Sequence, residues 1–385
     1  MKIIHVCLTG AMTDGFSYQE NLLAKYHKKL GYDVTIISSK WIFDEEGEIC
    51  RTDKTDYYNE DGAFVIRLDN RPSNTYKSKF KSFYGLTEAI EKENPDIFFI
   101  HGVQFFEIKE IAKYAKKHPN VRIYADNHAD FSNSGRNFLS KNILQKKCWR
   151  HTAHVILPYT RKFYGVLPAR VDWLKDMYKL PADKCELLVM GADDEAVEAA
   201  YSSNVVRDLK EKFHIAENDF VIVTGGKIDS FKLQTLLLME AVREIEGNIK
   251  LIVFGSIQKD IQDKFNALCD GDKIQYAGWV TGNHSYEYFA LADLVVFPGR
   301  HSIYWEQVAG MGIPMLCKYW DGTDHVDIGG NVIFLKEDSA KEIRTNIERL
   351  LNNKDEYELM LQKAQGKGKK QFSYSEIAKR AIELP

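Results

Sequence analysis

The chain has 385 residues, 44% hydrophobic and 28% charged, a globular composition that excludes long disorder and low-complexity classes. At roughly 150 residues per domain, a chain of this length is expected to form two or three domains. The 52 basic and 55 acidic residues give a net charge of −3, which argues against a chain-wide coat for nucleic acid.

Two features predict a cytoplasmic protein. The six cysteines stand singly, without a C-x-x-C pair, as is typical of reduced thiols. The N-terminal MKIIHVCLTG is too short for a signal-peptide core and is interpreted as a first buried strand, and no apolar run approaches the roughly 20 residues of a membrane span.

Short apolar runs alternate with amphipathic stretches in the first half, the pattern of repeated βα units around a parallel sheet. The predicted strands are Lys2–Leu8, Asp33–Ser38, Phe64–Leu68, Ile97–Ile100, Arg122–Asp126 and His154–Leu157. The predicted helices are Ser17–Leu30, Ser82–Glu93 and Phe106–His118.

The pattern breaks near residues 190–195, where Asp193-Asp194-Glu195 is interpreted as a turn, and then starts again. The predicted strands of the second half are Asp219–Thr224, Lys250–Phe254, Ile274–Ala277, Leu294–Phe297, Pro314–Lys318 and Asn331–Phe334. The predicted helices are Val206–Phe213, Lys232–Ile245, Asp260–Cys269, Tyr286–Leu291 and Gln371–Leu384.

This organisation predicts an α/β protein of two Rossmann-like, doubly wound domains, residues 1–195 and 196–370. The final helix within 371–385 is able to pack on either domain, including back onto the first. Ligands of open α/β sheets bind beyond the carboxyl ends of the strands, so we expect the two domains to face each other across a ligand-binding cleft.

Residues 101–150 are the most basic stretch, with 10 basic against 4 acidic side chains. Solvated helix faces are the simpler explanation, and contact with an anionic membrane is the alternative. Tyr76–Tyr84 (YKSKFKSFY) interleaves lysines with phenylalanines and is a weaker candidate for an interfacial patch.

The first strand leads into a polar loop, Thr9–Gly15 (TGAMTDG). Backbone amides at a strand–loop–helix junction suit phosphates or sugar hydroxyls, although a tight βα turn explains the loop equally well. The loop has only Gly10 and Gly15 and lacks G-x-G-x-x-G, which disfavours a nicotinamide-dependent oxidoreductase.

A second glycine turn follows the first strand of the second half, in VIVTGGKIDSFKLQTLLLMEAV. Gly225 and Gly226 let the backbone approach a ligand, and Lys227 and Lys232 are spaced so that both could reach one diphosphate. The alternative is an exposed lysine pair on a loop.

The segment 291–318 (LADLVVFPGRHSIYWEQVAGMGIPMLCK) has the highest density of functional groups. A buried strand is followed by a polar loop with Arg300, His301 and Ser302 and then by a helix with Glu306 and Gln307. A carboxylate on the first turn of such a helix can accept both hydroxyls of a ribose, and amides at the helix start can hold a diphosphate.

The order of these motifs resembles the nucleotide-binding half of GT-B glycosyltransferases, and most closely retaining glycosyltransferase family 4. It comprises G-G-K-x4-K, a strand ending in F-G-S (Phe254–Ser256), Y-A-G-W-V (Tyr276–Val280), A-D-L-V-V-F-P (Ala292–Pro298) and E-Q…G-x-P. The first half is similar too, with D-N-H-A-D at 126–130 and G-A-D at 191–193, so the resemblance spans essentially the whole chain.

The resemblance implies a role for each matching residue. The catalytic candidates are His128, Lys232 and Glu306. The candidates for the donor diphosphate are Gly225, Gly226, Lys227, Lys232, Arg300, His301 and Ser302. The candidates for the ribose and nucleotide are Glu306, Gln307 and Gly255. The candidates on the acceptor or sugar side are Gly10, Asp14, Gly15 and Asn127.

The chain departs from the family at one motif. The family's loop carries two glutamates separated by seven residues, and here the first is absent because the loop is shorter. Counting back from Gly312-Ile313-Pro314, Gln307 stands at the second glutamate's place and Glu306 one residue earlier. Either side chain is therefore a candidate for the ribose, and the identity of the donor is open.

The function implied is transfer of a hexosyl group from a nucleoside-diphosphate sugar, UDP favoured, to an acceptor hydroxyl with retention of configuration. The expected partners are the nucleotide sugar and a saccharide or lipid-linked acceptor of bacterial surface polysaccharide synthesis, with no nucleic acid, no metal and no cofactor. The alternatives are a non-hydrolysing sugar-nucleotide 2-epimerase and a non-catalytic sugar-nucleotide-binding subunit.

Overall fold

The structure, a computed structural model, describes residues 1–44, 47–71, 81–202, 204–229, 233–280, 282 and 284–384. The chain divides into two compact units, Met1–Val189 with Ile377–Pro385, and Met190–Glu376. The division falls at 189/190, near the interruption at 190–195, and the last nine residues belong with the first unit. The Tyr76–Tyr84 segment lies mostly outside the described residues.

The first unit is built on parallel strands with helices between them. Its strands are β1 (Lys2–Cys7), β2 (Asp33–Ser39), β3 (Trp41–Phe43), β4 (Ile49–Arg51), β5 (Tyr57–Tyr58), β6 (Phe64–Leu68), β7 (Ile97–His101), β8 (Arg122–Asn127), β9 (Thr160–Gly165) and β10 (Cys185–Leu187). Its helices are α1 (Gln19–Lys29), α2 (Leu86–Glu93), α3 (Ile108–Lys117), α4 (Arg150–Ile156) and α5 (Pro168–Asp176), with a π-helix at Ser140–Trp149 and a 3-10 turn at Ala182–Lys184.

The main sheet of this unit has the order β10-β9-β8-β7-β1-β2-β6-β5, in which β5 and β6 pair antiparallel and the other described pairs are parallel. β3 and β4 form a separate antiparallel pair. The chain winds from β1 through β2 to β6 on one side and then returns to add β7 to β10 on the other. The strand order therefore reverses between β1 and β7, the point where open α/β sheets bind ligands. β7 is buried on both faces and so is almost continuously apolar (IFFIH).

The second unit repeats this plan with a smaller sheet. Its strands are β11 (Phe220–Gly225), β12 (Ile249–Phe254), β13 (Ile274–Tyr276), β14 (Leu294–Phe297), β15 (Met315–Lys318) and β16 (Val332–Leu335), in the order β13-β12-β11-β14-β15-β16. Every pair in this sheet is parallel. Here the strand order reverses between β11 and β14.

The helices from 194 onward are α6 (Asp194–Ser202), α7 (Val205–Lys212), α8 (Gln234–Glu244), α9 (Gln262–Leu268), α10 (Ser285–Phe289), α11 (Tyr304–Met311), α12 (Ala340–Asn352), α13 (Lys354–Lys363), α14 (Lys369–Gln371) and α15 (Tyr374–Ala381). A 3-10 turn lies at Asp324–Val326 and a π-helix at Ala364–Gly368. Among the described residues, the helices are too short or too polar to cross a membrane.

Two sequence predictions are wrong. The run His154–Leu157 is not a strand but the end of α4 and the residue after it, because Thr152, Ala153 and Ile156 place one buried stripe at helical spacing. The segment Asp193-Asp194-Glu195 is not a free turn but the start of α6, where the Asp193 carboxylate accepts the Glu195 backbone N–H at 3.2 Å.

Candidate functional site

A cavity in the second unit lies at the point where its strand order reverses. It is formed by the ends of β11 and β14, the loops that follow them, and the start of α8. Its walls are Thr224, Gly225, Lys227, Ile228, Thr235, Val253, Phe297, Pro298, Gly299, Arg300 and Ser302. Four of the residues predicted to hold a diphosphate, Gly225, Lys227, Arg300 and Ser302, are therefore brought together.

The glycines beside this cavity are also required by packing. A Cβ on Gly225 would lie 2.2 Å from the ring of Phe254, a side chain fully buried among aromatic neighbours. A Cβ on Gly255, whose φ is +122°, would lie 1.9 Å from the carbonyl oxygen of Gly226. Close approach of β11 and β12 thus explains Gly225 and Gly255 without a ligand, and their nucleotide-binding roles stay predictions.

The basic side chains predicted for the diphosphate differ in their exposure and in their contacts. The Lys227 side chain is 70% exposed and its Nζ lies 3.7 Å from the Asp229 carboxylate, so it can move toward a phosphate at little cost. Arg300 is exposed and also lines the cavity. Lys232 lies outside the described residues, so its predicted place on the diphosphate stays a prediction.

Beside the cavity, Glu306 is held by two histidines. Its side chain on α11 is fully buried, and its Oε1 accepts hydrogen bonds at 2.8 Å from His301 Nε2 and from His325 Nε2. His301 follows β14, and His325 belongs to the 3-10 turn at Asp324–Val326. Burial alone would raise the pKa of Glu306, but the two imidazoles outweigh it and lower the pKa to about 2.

The atoms of His301, Glu306 and His325 that could ligate a metal lie within 4.8 Å of one another, so this set is the candidate cation site among the described residues. A metal-bound histidine normally donates its second ring N–H to another group. His325 Nδ1 is buried and has no hydrogen-bond partner among the described residues. The contacts therefore fit a hydrogen-bonded carboxylate better than a metal centre.

Glu306 and Gln307, the two candidates for the ribose, are 0% and 2% exposed. Neither lines the cavity, and Gln307 Oε1 is buried without a hydrogen-bond partner among the described residues. As the residues are placed, neither side chain is accessible to a ribose. The ribose role of both residues stays a prediction.

The first unit has its own cavity of about 150 Å³ at the reversal between β1 and β7. Its walls are Cys7, Thr9, Gly10, Ala11, Met12, Glu20, His101 and His128. Two of the residues predicted for the acceptor or sugar side, Gly10 and His128, lie here. The His128 side chain is 40% exposed, so it is available to a ligand.

The other residues predicted for this site are occupied within the protein. The Asp14 carboxylate accepts the Tyr57 hydroxyl at 2.6 Å and lies 3.5 Å from Arg67 Nη2. The Asn127 side chain is buried and donates to the carbonyls of Ala129 and Arg170. Gly15 adopts φ +75°, which a turn requires of it. Their contacts with substrate stay predictions.

His128 lies next to a buried carboxylate. Its Nε2 is 3.5 Å from Asp126 Oδ2, which also accepts His101 Nδ1–H at 2.8 Å. Burial lowers the pKa of His128, but Asp126 outweighs this effect and raises the pKa above its usual value. Burial opposes ionisation of Asp126 too, and the charges of His101 and His128 nevertheless hold its pKa well below the usual range.

Sequence reasoning missed His325 and His101, which hold these two carboxylates. His325 is 19 residues from Glu306, and His101 is 25 residues from Asp126. The available signal for His101 was a histidine at the end of an otherwise apolar buried strand, IFFIH, because a buried imidazole requires a hydrogen-bond partner. His325 lies in a 3-10 turn and offers no such signal.

Comparisons with solved structures support the two-unit architecture over its full length. The chain is similar to a glycosyltransferase from Rickettsia africae (TM-score 0.65, 15% identity, covering 99% of this chain and 97% of that one). It is similar to HepE from Anabaena in complex with UDP (TM-score 0.66, 14% identity, 100% and 99%). It is also similar to UDP-GlcNAc 2-epimerase from Neisseria meningitidis bound to UDP-GlcNAc (TM-score 0.63, 12% identity, 100% and 99%).

No protein-family model matches the chain, and no curated protein matches it by sequence. At these identities the structural likeness establishes the fold alone. The predicted fold class is confirmed, because the chain is an α/β protein with the GT-B architecture of two doubly wound units.

Proposed function

We propose that the protein is a glycosyltransferase that moves a sugar from a nucleoside-diphosphate sugar to an acceptor hydroxyl. The observation that carries the proposal is the cavity at the ends of β11 and β14, which is lined by Lys227, Arg300 and Ser302. Two cations and a hydroxyl at the carboxyl ends of parallel strands suit a diphosphate.

The chemistry follows from the leaving group. As the bond to the sugar breaks, negative charge develops on the diphosphate, and Lys227, Lys232 and Arg300 stabilise it. The anomeric carbon gains oxocarbenium character. With retention, the acceptor hydroxyl attacks on the face of the departing phosphate, and that phosphate takes the hydroxyl proton. This charge stabilisation requires no metal and no cofactor beyond the nucleotide sugar.

We propose UDP as the nucleotide and a hexose as the transferred group. The support is that HepE, similar over its full length, is described in complex with UDP and with UDP-glucose. Retention is supported by the ordered motifs that resemble glycosyltransferase family 4.

We place the acceptor, a saccharide or lipid-linked sugar of cell-surface polysaccharide, beside His128 in the cavity of the first unit. His128 combines 40% side-chain exposure with a raised pKa, so it can donate a hydrogen bond to a hydroxyl. We propose that the protein is cytoplasmic and contacts the membrane peripherally.

The membrane contact rests on one basic segment of the first unit. Residues 131–171 contain no aspartate or glutamate, and the π-helix Ser140–Trp149 lies within them. Phe138 and Leu139 are 75% and 66% exposed at its start. The exposed positions of this segment include Phe138, Leu139, Lys141, Ile143, Lys146 and Lys147. Apolar side chains flanked by lysines suit an anionic lipid surface.

Flotation with lipid vesicles tests this contact. We expect the protein to bind phosphatidylglycerol vesicles and to stay free of phosphatidylcholine vesicles. The double variant K146E/K147E should lose binding, whereas a matched pair on the second unit, K367E/K370E, should keep it. Equal binding by both double variants would contradict the assignment of the surface.

A panel of nucleotide sugars tests the main proposal. The protein is incubated with each donor and a mixture of saccharide acceptors, and nucleotide release and products are followed. Release of UDP with a new α-glycoside from an α-configured donor supports transfer with retention. Release of UDP with free sugar only, or no turnover of any donor, would refute it.

A 2-epimerase is the second candidate, because the UDP-GlcNAc 2-epimerase of Neisseria shares the architecture over the full chain. An epimerase would convert UDP-GlcNAc without an acceptor, and the panel distinguishes it by the changed donor. A non-catalytic binding subunit would bind UDP-sugars and leave them intact. Consumption of NAD would instead indicate the disfavoured oxidoreductase.

A further inference from the structure

A continuous chain of buried hydrogen bonds crosses the first unit from its last helix to the cavity. His27 Nε2 lies 2.9 Å from the carbonyl oxygen of Ala378, and His27 Nδ1 lies 2.9 Å from His5 Nε2. His5 Nδ1 lies 3.0 Å from His101 Nε2, and His101 Nδ1 lies 2.8 Å from Asp126 Oδ2. All three imidazoles are almost completely buried.

The number of protons that these hydrogen bonds need determines the charge of the His27–His5–His101–Asp126 hydrogen-bond chain. It has four hydrogen bonds and ends on the Ala378 carbonyl and the Asp126 carboxylate, which both accept. Each bond needs one proton, whereas three neutral imidazoles carry only three. One additional proton is therefore needed, and an imidazolium paired with the ionised carboxylate satisfies the count with no net charge.

The position of the additional proton follows from the surroundings of each ring. Burial lowers the pKa of His27 to about 4 and lowers the pKa of His5 well below its usual value, and among the described residues neither ring contacts a carboxylate. His101 is the ring in contact with the Asp126 carboxylate, with its Nδ1 2.8 Å from Oδ2. The charge is therefore most stable on His101.

We propose that His101, as a buried imidazolium held by the His5–His27 chain, is a positioning residue for His128. His101 binds Asp126 Oδ2 at 2.8 Å, and His128 Nε2 lies 3.5 Å from the same oxygen, so His101 fixes the carboxylate that His128 faces. This proposal rests on the proposed function in one respect, because it takes His128 as the group that contacts the acceptor.

The charge on His101 also affects how easily the His128 ring is protonated. The titratable and charged groups that act on the His128 ring are Asp126 on β8, Glu20 on α1 and Arg170 on α5. Cys7 and His101 share its cavity. Asp126 and Glu20 favour the protonated ring and Arg170 opposes it. An imidazolium at His101 neutralises part of the Asp126 charge, so its removal should make His128 easier to protonate.

The first experiment uses the unaltered protein labelled with 15N-histidine. Long-range 1H–15N spectra at pH 7 distinguish protonated from bare ring nitrogens. We expect His5 and His27 to be neutral with Nε2–H and His101 to carry protons on both nitrogens. Three neutral rings, or the charge on His5 or His27, would overturn the proposal whether or not the protein transfers sugar.

The second experiment compares His101→Asn with a control, His151→Asn, an exposed histidine on α4. The asparagine amide can still donate to Asp126, but it carries no charge. We expect the His128 titration midpoint to rise by about one pH unit in the first variant and to stay unchanged in the control.

In an active enzyme, the limb of the kcat–pH profile that reports His128 should move with that midpoint, while KM for the donor stays constant. A folded His101→Asn protein whose His128 midpoint does not move would overturn the positioning role. Absence of turnover in the unaltered protein would instead count against the proposed function, because the titration is measured without substrate.

Discussion

Replacing Glu306 by Gln tests whether this carboxylate anchors two histidines or binds a ribose. The amide keeps the volume of the side chain and an oxygen that can accept from His301 and His325, but it removes the charge. It also puts N–H groups in place of Oε2, which is buried without a hydrogen-bond partner among the described residues. The substitution should therefore weaken the fold of the second unit.

The magnitude follows from the pKa of Glu306, which is about 2 in the folded protein and 4.5 in an ordinary glutamate. A difference of about 2.5 pH units corresponds to about 3 kcal/mol of stability. A carboxyl with a lowered pKa supplies this stability above pH 4.5 and loses it as the pH falls toward 2. The difference between wild type and Glu306→Gln should therefore be about 3 kcal/mol at pH 6 and shrink below pH 4.5.

Urea unfolding at several pH values, followed by tryptophan fluorescence, measures this difference. Glu358→Gln, an exposed carboxylate on α13 in an i,i+4 pair with Lys354, is the matched control and should change stability by less than about 0.5 kcal/mol. If the Glu306→Gln protein is as stable as the wild type and binds UDP more weakly, Glu306 does not stabilise the fold through the two histidines. That result would support a contact between Glu306 and the ribose.

Three further predictions concern the diphosphate cavity, the packing beside it and metal dependence. Lys227→Ala should weaken UDP-sugar binding about tenfold or more, measured by calorimetry, with the melting temperature unchanged; equal affinity would remove it from the diphosphate. Gly225→Ala should lower the free energy of unfolding by about 1–3 kcal/mol because its Cβ meets Phe254, whereas Gly366→Ala, which points into open space, should not; the reverse order would contradict this packing. Dialysis against EDTA should leave turnover unchanged, and loss of activity restored by a divalent cation would show that a metal takes part.

The fold could be predicted because both units repeat one pattern. In β7 and β12 nearly every residue is apolar, which marks a strand covered on both faces, and the amphipathic stretches between strands mark helices. The prediction of a strand at 154–157 was wrong because four apolar residues do not distinguish a strand from the last turn of a helix.

The candidate site could be predicted only where its residues follow strand ends. Gly225, Lys227, Arg300 and Ser302 come together because parallel strands end at one edge of a sheet. The His101–Asp126 and His325–Glu306 contacts join segments whose pairing no local spacing encodes. Two different explanations of one residue, such as packing and phosphate binding for Gly225, are also indistinguishable in a sequence.

The central claim is that this chain forms glycosidic bonds, and the ratio of UDP released to glycoside formed tests it most directly. With the active donor and acceptor, both quantified by NMR in one sample, we predict one glycoside for each UDP and retention of the donor's anomeric configuration. Release of UDP without glycoside, or conversion of the donor sugar in the absence of acceptor, would contradict the account.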